Sequence, residues 1–275
     1  MSKTLVEAAL TVLNASDAAE KAKNSLAAAQ GWRDGTITEV GRASPPDRPG
    51  RPDEPCLLQP RDMPKRRKAQ SQPARIALLH ALAHIELNAI DLAWDMVARY
   101  ADPKAAGMDL PRAFFDDWVK VGTEEATHFS LLSARLEAMG SRYGALPAHD
   151  GLWQAATDTA DNLAARLAVV PLVLEARGLD VTPAMIKSLN RAGDPESAAI
   201  LQRIHDDEIG HVAIGKRWFD YVCEQDGLPT IETWQSLVRR YFKGSLKRPF
   251  NVTSRDLANF SSAFYEPLAD DPVGR

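Results

Sequence analysis

Cysteine is nearly absent: Cys56 and Cys223 are the only two in 275 residues, and no CxxC or Cys/His zinc spacing accompanies them. This excludes a disulfide framework and a thiolate metal site, and it points to a reducing compartment. Long hydrophobic runs are missing as well. The nearest, Leu167 to Leu174, falls far short of the roughly 18 apolar residues a bilayer span needs, so no membrane segment is expected. The start of the chain meets acidic Glu7 within its first turns and lacks an apolar run ending in a cleavage site, so it does not read as a signal peptide. The expected location is the cytoplasm. Positive charge is in deficit, with 33 Lys and Arg against 37 Asp and Glu, a net charge of -4, which argues against a general polyanion binder. Alternating strand patterns and hairpin dipeptides are also wanting, so the chain reads as all-α.

What is present is apolar material sufficient for a core, 45% of residues, which excludes disorder throughout. Residues 1–32 are rich in Ala, Leu, Lys and Glu and predict one or two helices, with Asn14, Ser16 or Asp17 as break and cap. Residues 33–73 turn to Pro, Gly, Arg and Asp, which holds no regular helix and predicts a linker or wrapping arm. Residues 74–225 contain four long helical blocks, from about Arg75 to Tyr100, Pro111 to Met139, Asp150 to Gly178, and Asp194 to Cys223. A short extra helix is expected over Thr182 to Arg191. Residues 226–275 form a C-terminal extension with short helices over Thr230 to Phe242 and Ser254 to Phe264.

The apolar stripe of each long block is interrupted by acidic residues where helical periodicity calls for burial. Glu86 sits among Leu79, Ala83, Leu87, Ile90 and Val97. Glu125 and His128 lie on the face of Trp118, Val121, Phe129 and Leu132. Glu175 follows Leu167, Ala168 and Pro171, and Glu208 and His211 lie between Leu201, Ile204, Val212 and Gly215. Burying an unpaired carboxylate costs several kcal/mol, so four of them converging with two imidazoles need a compensating positive charge, most economically a pair of metal ions. Each Glu-x-x-His places carboxylate and imidazole one turn apart on one face. One Glu from each of two helices and a Glu-x-x-His from each of the other two is the ligand set of carboxylate-bridged dimetal bundles. Glu124 and Asp207, each just ahead of a Glu-x-x-His glutamate, suit hydrogen bonding to a ligating imidazole or, alternatively, an exposed helix face.

The segments HALAHIELNAIDLAWD, EEATHFSLLSARL, LPAHDGLW, VVPLVLEARGLDVTP and DEIGHVAIGKRWF resemble the DUF455 family of the ferritin-like superfamily, over about Pro55 to Phe219. The resemblance implies a ferritin-like four-helix bundle, here with N- and C-terminal helical extensions and a Pro-rich arm. It sets Glu86, Glu125, His128, Glu175, Glu208 and His211 at the superfamily's ligand positions. It brings no activity. The tRNA-modifying di-iron hydroxylases of that superfamily are similar in helix arrangement.

The expected function is therefore a dinuclear non-haem iron oxidoreductase that uses O₂ to hydroxylate or otherwise oxidise an organic small molecule. It would hold two Fe ions, with Mn/Fe or two Mn as alternatives. A non-enzymatic iron-handling protein is the second reading. A tRNA-directed hydroxylase is the third, resting on basic patches at Arg61 to Lys68 and at Arg239, Arg240, Lys243, Lys247 and Arg248. A small-molecule substrate and O₂ are the expected partners, and a homodimer is compatible with this reading.

Other residues read as structural. His84 lies about 200° around its helix from Glu86, so His80 and His84 are expected to pack or hydrogen-bond. Asp150 is expected as a cap, His149 as a loop contact and His205 as partly exposed. Pro171, four residues before Glu175, should bend its helix. Trp94, Phe114, Phe115, Trp118, Phe129, Trp218 and Phe219 are expected in the core.

Overall fold

A computed structural model describes residues 4–59, 62–63 and 71–269, and the regular secondary structure of the described residues is helical, with only isolated bridge pairs besides. The helices are α1 (Leu5–Asn14), α2 (Ala18–Arg33), α3 (Gln72–Tyr100), α4 (Pro103–Ala106), α5 (Arg112–Ala138), α6 (Gly151–Asp158), α7 (Leu163–Val169), α8 (Ala176–Arg191), α9 (Pro195–Gln225), α10 (Thr230–Tyr241), α11 (Val252–Leu257) and α12 (Ser262–Tyr265). A π-turn, Val170–Glu175, joins α7 to α8. The chain divides into two compact units, residues 1–153 with 188–200, and residues 154–187 with 201–275.

Helix starts follow local chemistry. Thr4 and Glu7 form a reciprocal capping box on α1, and the Asp17 carboxylate accepts from the amide of Glu20 to open α2. Ser71 caps α3, with a proline in its first turn. In the first unit α3 packs along α5, α1 lies on α3, and α2 lies on α5. The close approach of α3 and α5 is made at Gly122: a Cβ there would stand 2.8 Å from Trp94 Nε1. That indole nitrogen donates to Ser25 Oγ at 2.7 Å, and Ser25 in turn donates to the Gly122 carbonyl at 2.6 Å.

By length and composition α3 is apolar enough to cross a membrane, but 67% of its most apolar window is buried in the protein. It also carries fully buried Asp91. That carboxylate is held at 2.6 Å by Lys21 and at 2.7 Å by Arg51, and Lys21 further donates to the carbonyls of Val12 and Leu13. Arg51 belongs to the Pro-rich arm, which thus runs against α3. At one end of α3 and α5, the Asp194 carboxylate forms an ion pair with Arg75 (3.1 Å) and accepts from Arg135 (2.8 Å) and from the Ser197 amide (3.0 Å). One side chain therefore clasps the start of α3, the last turn of α5 and the first turn of α9.

The second unit departs from the sequence-based expectation in three places. The single helix expected over Asp150 to Gly178 is broken after Asp158. Asn162 caps a new helix by accepting from the Ala165 amide at 2.8 Å, and buried Arg166 bonds back to Thr159 Oγ1 and the Ala156 carbonyl across the break. Conversely, no break falls at Gly178. α8 runs on through Gly178 and Pro183 to Arg191, absorbing the short helix expected from Thr182. Pro183 withdraws the amide that would bond the Leu179 carbonyl, and Asn251 Nδ2 donates to that carbonyl instead, at 3.1 Å. The helix expected over Ser254 to Phe264 is also divided. Asn259 adopts a left-handed φ of 57°, and the Phe260 amide turns back to the Arg255 carbonyl, a helix-ending geometry. Buried Phe260 then packs with Phe264 against Trp234 of α10.

Candidate metal centre

Glu86 projects from the middle of α3, and Glu125 and His128 from one turn of α5. All three are buried, with 3%, 0% and 0% exposure. His128 Nδ1 lies 3.3 Å from Glu86 Oε2 and 3.5 Å from Glu125 Oε2. Each of the three offers a ligand atom within 4.8 Å of the others. Burial, followed by the charge of Glu125, pushes the Glu86 carboxyl well above its usual range. Burial opposes charge on His128, but its hydrogen bonds to Glu125 and Glu86 and their negative charge prevail and raise it to about 11. Without a metal, a proton on His128 balances part of the carboxylates' charge. Two carboxylates and an imidazole nitrogen converging on one buried point suit a divalent first-row cation, which would replace that proton.

In the second unit α9 repeats the motif. His211 Nδ1 lies 3.4 Å from Glu208 Oε1, with His211 fully buried and Glu208 9% exposed. In both Glu-x-x-His turns the same ring nitrogen thus faces the glutamate one turn earlier. Glu175 is the last residue of the π-turn. This turn starts at Val170–Pro171, where the sequence suggested a bend. Pro171 packs so closely on α9 that a Cβ on Gly215 would meet its ring at 2.4 Å. The Ala168 carbonyl, in the turn before, accepts from Trp234 Nε1. π-turns of this kind recur where a helix must present a functional side chain off its regular register.

Glu124 pairs with Lys120 at 2.6 Å and Asp207 with Arg203 at 3.5 Å. His80 and His84 hydrogen-bond as expected. His80 Nε2 accepts from the amides of Gly144 and Leu146, and His84 contacts Tyr143 Oη and the His149 carbonyl. His205 differs from expectation: it is buried, with Ser254 Oγ 3.2 Å from Nε2, because the C-terminal segment folds back over it. Asp150 pairs with Arg48 of the arm. All seven aromatics expected in the core are buried. Of the first basic patch, Arg61 and Lys65 to Lys68 lie outside the described residues. In the second, Lys243 pairs with Asp158 and Arg248 with Glu266. The sequence reading missed buried Asp91 and Asp95, whose interruption of an otherwise apolar run, LNAIDLAWDMV, was the available signal.

The family described as "Protein of unknown function (DUF455)" matches residues 14–266, and the chain belongs to it. An uncharacterized protein of Haemophilus influenzae is 40% identical over 210 residues, covering 76% of this chain and 73% of that relative. No solved structure matches.

Proposed function

We propose that this protein is a dinuclear metal-dependent oxidoreductase of ferritin-like architecture. In this reading Glu86, Glu125 and His128 of the first unit supply one half of the ligand set, and Glu175, Glu208 and His211 of the second unit supply the other. The buried triad of Glu86, Glu125 and His128 carries the proposal: two carboxylates in an apolar interior call for a cation. The matching Nδ1-to-carboxylate geometry at His211 and Glu208 supports a second, equivalent half. Two iron ions, or manganese in one or both positions, would when bound supply a place where O₂ is reduced against an organic substrate.

The chain's own residues have definite tasks. Glu86 and Glu125, both buried, would neutralise the metal charge. His128, whose Nδ1 is the nitrogen aimed at the carboxylates, would hold the metal through that atom once deprotonated. The close packing of Trp94 on Gly122 fixes the spacing of the two helices that carry these three groups. The ion pairs made by Lys243 and Arg248 reduce the cationic surface on which a tRNA-directed reading would depend.

The test is elemental analysis of anaerobically prepared protein beside Glu125→Ala/Glu208→Ala. About two iron or manganese ions per chain are expected in the wild type and far fewer in the variant. Ferrous protein should then consume O₂. No metal in either protein overturns the proposal. Metal binding with only stoichiometric O₂ uptake, unaffected by candidate substrates, would favour iron handling over catalysis.

A further inference from the structure

The second unit contains a cavity of about 520 Å³ lined in part by the π-turn residues Val173 and Leu174. The volume falls within the range of small-molecule sites. Its apolar wall is made by Val173 and Leu174 of the π-turn, with Phe242, Leu246 and Phe250. Its charged lining consists of Arg177, Lys243, Lys247 and Arg255 against a single carboxylate, Asp180.

That carboxylate is already compensated. Asp180 accepts from Arg255 at 2.9 and 2.8 Å and from the Asn251 amide at 2.8 Å, and the Arg255 side chain is only 4% exposed. Lys243 engages Asp158 at 2.6 Å. Arg177 also lies 3.4 Å from Asp180 Oδ2, but that single carboxylate is shared with the closer Arg255, so a positive surplus remains and is carried by Arg177 and Lys247. These two are mechanically joined, since Arg177 Nη1 donates to the Lys247 carbonyl at 2.7 Å and so holds the 243–250 loop in place beside the cavity. An inorganic anion would leave the apolar wall wet, whereas an uncharged apolar molecule would leave the cationic side unanswered. A nucleic acid needs an extended cationic track, which the pairing of Lys243 and Arg248 interrupts.

We propose that this cavity binds a small amphipathic organic anion, its apolar body against Leu174, Phe242 and Phe250 and its charged group toward Arg177 and Lys247. The proposal stands on the cavity's lining and is independent of metal occupancy. It is tested by calorimetric titration of the full chain, as purified, with 2-naphthoate and with neutral 2-naphthalenemethanol, which share one aromatic body. The naphthoate should bind saturably at one site per chain and roughly tenfold more tightly than the alcohol, as charge-assisted contacts require. Lys247→Glu, a substitution on an exposed side chain, should weaken naphthoate roughly three- to tenfold and leave the alcohol unchanged, while Lys247→Arg retains binding. Equal affinity for acid and alcohol, no saturable binding of either at millimolar concentration, or naphthoate affinity indifferent to Lys247→Glu would each overturn it. Metal content measured on the same samples judges the dimetal reading separately.

Discussion

Gly122 and Trp94 touch so closely that the smallest added side chain has no room: a Cβ on Gly122 would stand 2.8 Å from the indole nitrogen. Trp94 lies on α3 two turns beyond Glu86, and Gly122 lies on α5 one turn before Glu125. The contact therefore sets the separation of the two carboxylates. Gly122→Ala should lower stability by about 1–3 kcal/mol through overpacking and reduce the metal retained per chain. Ser25→Ala removes the hydrogen bonds at the same point without adding bulk, and should spare most of the metal. Thermal melts and elemental analysis on both variants check the pair.

Gly215 and Pro171 stand in the same relation in the second unit, but here the opposing group is a rigid ring at 2.4 Å. A proline cannot swing aside, so Gly215→Ala must displace backbone, and the displaced segment is the π-turn ending in Glu175. Faster amide exchange confined to residues 170–176 is expected, together with a destabilisation of about 1–3 kcal/mol. Exchange unchanged in that segment would show that the turn is held by other means.

Asp91 and Lys21 are both fully buried. Burial raises the Asp91 pKa and lowers that of Lys21, each shift opposed by the partner's charge. Removing one member strands the other. Asp91→Ala, which strands buried Lys21 and takes a carboxylate from Arg51, should cost about 3–5 kcal/mol in urea unfolding, whereas Lys21→Met/Asp91→Leu, which leaves only the partly exposed Arg51 without that carboxylate, should be milder.

His80 and His84 are held neutral by burial, with pKa lowered to about 4 in each case. In the unfolded chain they protonate near 6.5, so their contribution to stability is present above that value and disappears as pH falls from 6.5 toward 4. The loss should approach about 2 kcal/mol per histidine at pH 5. His80→Gln, whose amide oxygen can still accept from Gly144 and Leu146, should flatten the acid limb of stability between pH 8 and pH 5.

The raised pKa of His128, about 11, has the opposite sense. At neutral pH the metal-free cluster holds a proton that ligation must expel, so metal affinity should rise with pH and binding should release about one proton or more. Titration calorimetry with Fe(II) or Mn(II) in two buffers of different ionisation enthalpy reads the number directly. Glu125→Gln and Glu86→Gln should each bring that number down.

The helices bearing Glu86, Glu125, His128, Glu208 and His211 were legible because their periodicity is local and long, and because acidic interruptions recur at one phase in each. The third block was not. A proline or glycine reads as a stop only if its neighbours cannot answer for the backbone it disturbs. At Pro183 the answer comes from Asn251, 72 residues beyond the carbonyl it satisfies. The same limit hid Asp91, whose lysine lies 70 residues earlier, and His205, which is covered by Ser254. Each of these partners is distant in sequence and carries no motif. Asn162, by contrast, is a good capping residue in plain view, overlooked because the apolar pattern runs on through it.

Asp194 has a consequence for which changes of length the chain can accept. Because one carboxylate grips Arg75 and Arg135, distances along α3 and α5 are measured from a common origin. Glu86 lies 11 residues from its anchor and Glu125 lies 10 from its own, so both sit at a depth of about 15 Å. Inserting or deleting one residue between clasp and carboxylate would turn that side chain by about 100° and shift it by about 1.5 Å. Natural length variation in this lineage should therefore gather in the arm and the loops, leaving the stretches 75–86 and 125–135 at constant length.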